Sequence, residues 1–169
     1  MLFRSTGFAG KLINYKGKAA HAGAAPFEGV NALNAAMLGL MAVHAQRETF
    51  RDEDHIRVHP IITKGGDIVN VVPADVRLET YVRGASTEAI IAASEKGNRA
   101  FRSGADAIGA RCEITELPGY LPVVQCDMLN DMMVREMETL VGDEVLKICP
   151  GFGGGSTDQG DVSQLMPSI

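Results

Sequence analysis

The most constraining feature of the sequence is a strand pattern at residues 76–83 that runs directly into a long amphipathic pattern. Four residues alternate with four others, as in a strand with one buried face: Val76, Leu78, Thr80 and Val82 against Arg77, Glu79, Tyr81 and Arg83. Ser86 then predicts the N-cap of a helix that continues to about Ile108. One face of this helix carries Ile90, Ser94, Gly97, Phe101 and Ala105. A last strand is expected from Ala110 to Leu117.

The segments before residue 76 supply the first three elements of the predicted fold, a strand, a helix and a strand. Imperfect alternation from Phe8 to His21 predicts a strand, or two strands joined by a turn, and Pro26 is expected to begin a helix. Alternation from His55 to Lys64 predicts another strand, which a turn at residues 65–67 connects antiparallel to the strand at 76–83. The order strand, helix, strand, strand, helix, strand predicts an α+β fold, the ferredoxin-like two-layer sandwich.

The first helix has apolar residues on two faces. One stripe contains Val30, Leu33, Met37, Leu40, Met41 and His44, and the other contains the mostly small residues Ala35, Leu38, Gly39, Ala42 and Ala45. We expect the first stripe to pack on the sheet, with His44 in the core or at an interface. The second face would admit another helix closely, which predicts self-association.

Residues beyond Tyr120 depart from this order. Asp127 is expected to cap an amphipathic helix, and a short strand is expected near Val145 to Ile148. A glycine-rich loop follows at residues 151–161. This part is interpreted as a C-terminal α/β segment outside the sandwich. Both chain ends lack the polar residues usual at termini, so we expect a truncated or split protein.

Composition excludes several classes of function. The 169 residues, 46% of them apolar, suit one domain with a small appendage. A net charge of -5 without a Lys/Arg run argues against nucleic acid, and the apolar runs are too short for a membrane helix. Three dispersed cysteines (Cys112, Cys126 and Cys149) are expected to be buried thiols, which favours a cytoplasmic location.

Three polar residues are the candidates for chemistry. His21 stands among small residues, between Gly17 and Gly23, so its ring is reachable and could donate to an oxyanion. Asn70 follows a glycine-rich turn and offers an amide to a carboxylate or carbonyl, and Arg83 at a strand end offers a planar fork to an anion. Each also has an ordinary structural interpretation, as a surface or turn residue.

Other constellations fail on geometry. His55 and His59 would lie about 13 Å apart in a strand, too far to share one zinc ion. The loop at 151–161 lacks the Gly-Lys-Ser/Thr ending of a phosphate loop. Ser156 has aspartate where a nucleophile elbow has its second glycine, so we expect a loop that shapes the backbone, with Asp158 and Asp161 solvated.

The ordered set of motifs resembles the aminoacylase/carboxypeptidase-type zinc metallopeptidases. The motifs are Gly17-Lys18-Ala19-Ala20-His21-Ala22-Gly23, Pro26, Gly29-Val30-Asn31-Ala32, Asn70-Val71-Val72-Pro73-Ala74, Arg83 and residues 156–163. Within that family the chain looks most like the B-type subunit of aminobenzoyl-glutamate hydrolase. The resemblance implies a dimerisation (lid) domain at residues 7–119 and a partial catalytic-domain segment at residues 120–169.

By the same resemblance, His21 stabilises the oxyanion in the active site of the partner copy, and Asn70 and Arg83 bind the substrate's carboxylate. The full-length family member is expected to carry dinuclear zinc or manganese, but the family's catalytic glutamate and metal ligands have no counterpart here. We therefore expect a homodimer that needs catalytic-domain segments for hydrolysis of N-acyl amino acids such as aminobenzoyl-glutamate. The alternative is a non-catalytic dimeric module that binds small carboxylates.

Overall fold

The computed structural model describes residues 4–142 and 151–169, so the strand expected at 145–148 and Cys149 lie outside the described residues. The strands are β1 Arg4–Ser5, β2 Gly7–Lys16, β3 Arg57–Val58, β4 Ile61–Lys64, β5 Asp75–Gly84, β6 Arg111–Leu117 and β7 Phe152–Gly153. The helices are α1 Ala32–Ala45, α2 Thr87–Ile108, α3 Asp127–Val141 and α4 Gln159–Ser163. Short 3-10 turns occupy Pro26–Glu28, Arg47–Thr49 and Asp52–Asp54.

The main sheet is antiparallel and centres on β2. This strand pairs with β5 on one side, from Gly7 opposite Gly84 to Lys16 opposite Asp75, and with β6 on the other. Both β3 and β4 pair with β5 at the outer edge. Helices α1 and α2 cover one face, where the core contains Ile13, Tyr15, Val76, Leu78, Val82 and Phe101. The face of the sheet that the helices leave open carries residues such as Phe8, Leu12, Glu79 and Tyr81. The predicted combination of a sheet with helices is confirmed.

Helix α2 agrees closely with its sequence pattern. The Ser86 side chain accepts a hydrogen bond from the Ala89 amide at 3.1 Å, as expected of an N-cap. The helix ends at Ile108, and Gly109 follows with φ 76°, a left-handed conformation that glycine adopts without strain. Strand β5 also lies where the alternation predicted it.

Helix α1 starts later than predicted. Pro26 begins only a 3-10 turn, and the helix itself begins at Ala32. The Asn31 side chain accepts hydrogen bonds from the amides of Leu33 and Asn34 at 2.9 and 3.1 Å, which satisfies two free donors of the first turn. Asn31, rather than Pro26, therefore sets the helix start.

The first stripe predicted for α1 is buried only in part: its Leu33 and Leu40 pack against the core. The small residues pack inward, namely Ala32, Ala35, Ala36, Gly39 and Val43, while Met37, Met41 and His44 are exposed. The reason is the close approach of α2: a Cβ on Gly104 would lie 2.3 Å from the Ala35 carbonyl oxygen. The small-residue face thus meets a helix of the same chain.

Three smaller predictions need correction. The strand expected from His55 to Lys64 is two separate strands, β3 and β4, with His59 and Pro60 between them, and His55 lies before β3 with a left-handed φ of 48°. Asp127 is the first residue of α3, and Cys126 at the N-cap makes no side-chain capping bond. Cys112 and Cys126 are half-buried rather than fully buried. Burial nonetheless raises the pKa of the Cys112 thiol to about 11.

Among residues 4–142 and 151–169, the helices are either too short or too polar to cross a membrane.

Candidate functional site

His21 lies five residues beyond β2, in a segment that crosses two other parts of the chain. Lys18 bridges to Val30, and His21 bridges to Val71. Gly17 is required for the first crossing, because a Cβ there would lie 2.0 Å from the Val30 carbonyl oxygen. Its role is to let two backbone segments approach closely. Gly23 has no such requirement, since a Cβ there would meet only the His21 ring at ordinary contact distance.

The His21 ring is exposed, and one of its nitrogens is engaged by the backbone. Nδ1 accepts hydrogen bonds from the amides of Gly23 and Ala24 at 3.2 and 3.0 Å. A nitrogen that accepts two N–H groups cannot carry a proton itself, so the neutral ring holds its proton on Nε2. His21 therefore presents an N–H donor to any group placed beyond the ring.

Asn70 lies next to His21. Its carbonyl oxygen accepts from the Ala22 amide at 2.9 Å, and the Val72 amide donates to Ala20 at 2.9 Å. The two segments therefore run side by side, and the side chains of His21 and Asn70 are both exposed. This part of the predicted site is assembled within one chain, and we call the two residues the His21–Asn70 pair.

Arg83 is held by contacts at the other end of the sheet. Its Nη1 donates to the Ser156 Oγ at 2.7 Å. Its guanidinium lies 5.3 Å from the Phe8 ring centroid and 5.5 Å from that of Tyr81, within range of cation–π attraction. One contact on one nitrogen leaves several N–H donors available for an anion.

The structure does not bring Arg83 to the His21–Asn70 pair. Asp75 begins β5 close to the pair, and Arg83 lies eight residues farther on, about 27 Å along an antiparallel strand. A small substrate cannot contact both ends at once. One chain alone therefore holds His21 and Asn70 at one end of the sheet and Arg83 at the other.

Sequence reasoning missed the groups that position Arg83. Phe8 lies directly opposite Arg83 in the β2–β5 register, so the cation–π contact follows from strand pairing that the sequence did not fix. Ser156 was treated as part of a backbone-shaping loop, and its hydroxyl instead accepts from Arg83. An arginine after an alternating strand gave no signal for either partner.

The rest of the C-terminal loop is structural in part. A Cβ on Gly160 would lie 1.8 Å from the Leu121 carbonyl oxygen. Asp161 accepts from the Leu121 amide at 2.9 Å, and Ser163 Oγ accepts from the Val124 amide at 3.0 Å. Asp161 is therefore a backbone acceptor and not simply solvated, and the loop fixes residues 121–124.

The described residues do not fit a metal centre. Within residues 4–142 and 151–169, no three His, Cys, Asp or Glu side chains come together as ligands. His21 has its Nδ1 occupied by backbone amides, and Asp161 is occupied by the Leu121 amide. A catalytic metal, where one is needed, must take its ligands from other residues.

Both the sequence and the fold of this chain match those of known proteins. The M20 family described as a peptidase dimerisation domain matches residues 4–108. The Xaa-Arg dipeptidase of Mus musculus is 34% identical over 163 residues, which is 93% of this chain and 36% of that protein. The A-type subunit of the p-aminobenzoyl-glutamate hydrolase of Escherichia coli is 42% identical over 73 residues, 43% of this chain and 16% of that protein. The chain thus spans at most 36% of these relatives' length.

Solved structures with low identity agree on the fold. Aminopeptidase PepT from Bacillus cereus aligns with a TM-score of 0.76 at 21% identity and covers 98% of this chain and 43% of that chain. An aminobenzoyl-glutamate utilization protein from Klebsiella pneumoniae aligns with a TM-score of 0.69 at 21% identity and covers 92% and 42%.

Proposed function

Because this chain belongs to the M20 peptidase dimerisation domain family, we propose that it is the dimer-forming and substrate-clamping part of an amide hydrolase. The observation that carries the proposal is the state of His21. Backbone amides occupy its Nδ1, so an exposed Nε2–H is presented beside Asn70. Such a preorganised donor suits the oxyanion that develops when an amide carbonyl is attacked.

The separation of the site residues supports action in trans. Since the His21–Asn70 pair lies at one end of the sheet and Arg83 at the other, the three groups can meet only when two copies contribute. Arg83, held by Ser156 in the C-terminal loop of its own chain, would bind the substrate's carboxylate. The pair would then come from the second copy, Asn70 toward the carboxylate and His21 toward the oxyanion.

The surface best suited to a second copy is the outer edge of the sheet with the exposed face of α1. Within residues 4–142 and 151–169, strand β4 pairs with β5 on one side and with no strand on the other, and its Ile62 is 43% exposed. Met37 and Met41 are 52% and 66% exposed on α1. A strand edge with unpaired backbone groups beside exposed apolar side chains tends to associate with another chain. Pairing with an identical edge would cover this surface.

The N-terminal and C-terminal segments support the assignment of residues 120–169 to a second domain. Strand β1 pairs in parallel with β7, and the Thr6 amide donates to Gly155 at 3.1 Å. The Phe8 amide donates to the Tyr120 carbonyl at 2.9 Å, so the chain enters and leaves the sheet unit at one place, as an inserted domain does. Domain limits of 7–119 and 120–169 are part of this proposal.

The remaining finer assignments concern the type of sandwich, the metal and the location. The strand order β3-β5-β2-β6, with β4 beside β5, supports the ferredoxin-like type of sandwich. Zinc or manganese would be held by residues outside the described ones, and a metal there would polarise the amide and activate water. Within residues 4–142 and 151–169, Cys112 and Cys126 form no disulfide, which supports a cytoplasmic location.

Two substrate classes are candidates. Relatives named for aminobenzoyl-glutamate support an N-acyl glutamate, as the likeness to the B-type subunit of that hydrolase implies, although the relative reported above is the A-type subunit. A relative named Xaa-Arg dipeptidase supports a dipeptide that ends in arginine. Both have an acylated amino acid with a free carboxylate, the group that Arg83 would bind.

The protonation state of His21 is directly measurable. Long-range proton–nitrogen NMR spectra should show His21 as the Nε2–H tautomer at a pH where the ring is neutral. His59, which has no backbone amide on its ring in the described structure, serves as the internal control. A His21 ring protonated on Nδ1 would contradict the proposed donor.

Activity assays separate the proposal from its alternative. The purified chain with added Zn²⁺ or Mn²⁺ should not hydrolyse either substrate class, and turnover that a chelator abolishes would refute the claim that catalytic segments are needed. A non-catalytic binding module would instead show calorimetrically measurable affinity for aminobenzoyl-glutamate that Arg83→Ala removes. The proposed part-site should show only weak binding of this kind.

A further inference from the structure

Glu79 stands on the open face of the sheet. It faces outward from β5, opposite Leu12 of β2 and Ile61 of β4. Within residues 4–142 and 151–169, no cationic side chain forms a salt bridge with it. The nearest arginine in the strand, Arg77, contacts Asp75 at 3.1 Å instead.

A shallow cavity of about 280 Å³ adjoins this carboxylate, and its lining combines charge with apolar and aromatic surface. We call it the Glu79 cavity; it is lined by His59, Ile61, Glu79, Thr80 and Tyr81. Ile61 and Tyr81 are each 51% exposed. A carboxylate beside an aromatic ring and aliphatic groups is the combination that binds a guanidinium with its methylene stem.

Tyr81 links the Glu79 cavity to Arg83. Tyr81 lines the cavity on one side and lies under the Arg83 guanidinium on the other, at 5.5 Å. Glu79 and Arg83 are four residues apart on the same face of β5, about 14 Å between their Cα atoms.

On the basis of the proposed function, in which Arg83 binds the substrate's carboxylate, we infer that the Glu79 cavity receives the cationic side chain of the same residue. The inference selects between the two candidate substrate classes. An arginine or lysine side chain would complement the Glu79 carboxylate, whereas a glutamate side chain would be repelled by it. The chain is thus a lid for peptides or acyl amino acids that end in a basic residue.

The test is an NMR titration of the isotopically labelled 169-residue chain. N-acetyl-L-arginine should shift the amides of Ile61, Glu79 and Tyr81 and bind about tenfold more tightly than N-acetyl-L-glutamate. Glu79→Gln should weaken N-acetyl-L-arginine binding by about tenfold and remove the preference. Glu113→Gln, which removes a negative charge from the same face, is the matched control and should preserve it.

Equal binding of the two acyl amino acids, or an unchanged preference in Glu79→Gln, overturns the inference. Its failure is distinguishable from failure of the proposed function by two further probes. Arg83-dependent binding of N-acetylglycine without any preference for arginine refutes this inference alone. Glu79-dependent binding of ethylguanidinium without any Arg83-dependent carboxylate binding refutes the proposed function and leaves a guanidinium site at Glu79.

Discussion

Two glycines in the same helix should respond in opposite ways to the same substitution. Gly97 and Gly104 both lie on the buried face of α2. A Cβ on Gly104 would lie 2.3 Å from the Ala35 carbonyl oxygen and 2.4 Å from the Gly39 nitrogen, both backbone atoms that cannot rotate away. A Cβ on Gly97 would meet no atom within 4 Å. The contrast isolates the α1–α2 contact from helix propensity.

The expected magnitudes follow from these distances. Gly→Ala inside a helix gains about 1 kcal/mol of propensity, which is the whole effect expected at Gly97. At Gly104 the helices must separate by about 1 Å, and overpacking that displaces backbone costs about 3 kcal/mol or more. The net destabilisation of Gly104→Ala is then about 2 to 3 kcal/mol, or a melting temperature lower by about 5–10 °C.

Urea unfolding of the two variants and the parent at one protein concentration measures this difference. A fixed concentration is needed because dimerisation contributes to apparent stability. The midpoint should rise for Gly97→Ala and fall clearly for Gly104→Ala, with equal slopes. Stabilities of the two variants within about 0.5 kcal/mol of each other would refute the close packing of α1 on α2.

Two further predictions concern buried and paired polar groups. Tyr15→Phe removes the hydroxyl that donates to the Phe101 carbonyl at 2.8 Å and should cost about 1 kcal/mol. Tyr15→Phe should also reduce the loss of stability caused by Gly39→Ala, because a Cβ on Gly39 would lie 2.2 Å from the same hydroxyl. Strictly additive losses in a double-mutant cycle measured in urea would contradict this contact. Asp75 accepts from Lys16 and Lys64, which holds its pKa well below its usual value, so its stabilisation is present above about pH 4 and lost as the pH falls toward that lowered pKa. Asp75→Asn should lose about 1 kcal/mol at neutral pH and less at low pH, whereas an equal loss at pH 7 and at strongly acid pH would contradict the ion-pair account.

Local signals predicted the elements whose ends are set by their own residues. Ser86 and Gly109 bound α2, and the alternation of residues 76–83 located β5, because a cap or a pleat depends on near neighbours. The start of α1 was missed because Pro26 is an equally good first-turn residue. Asn31 decides the outcome through two side-chain hydrogen bonds that a sequence does not display.

The face of α1 and the partners of Arg83 depend on distant contacts. Small residues looked like a surface for another molecule, and they pack inward because Gly39 and Gly104 let two helices of one chain approach closely. Ser156 is 73 positions from Arg83, and no local pattern connects them. The sequence predicted the candidate residues His21, Asn70 and Arg83 individually, but their division between two ends of a sheet required the register of β5.

We propose that this chain pairs with itself so that His21 and Asn70 of one copy complete the site near Arg83 of the other. Sedimentation equilibrium measures the pairing directly. The parent chain should have a mass of twice 18.0 kDa. Ile62→Lys at the β4 edge should reduce this mass to that of one chain, whereas Ile91→Lys, at an exposed apolar site on α2, should leave it unchanged. A strictly monomeric parent chain, or a dimer that Ile62→Lys leaves intact, would contradict it.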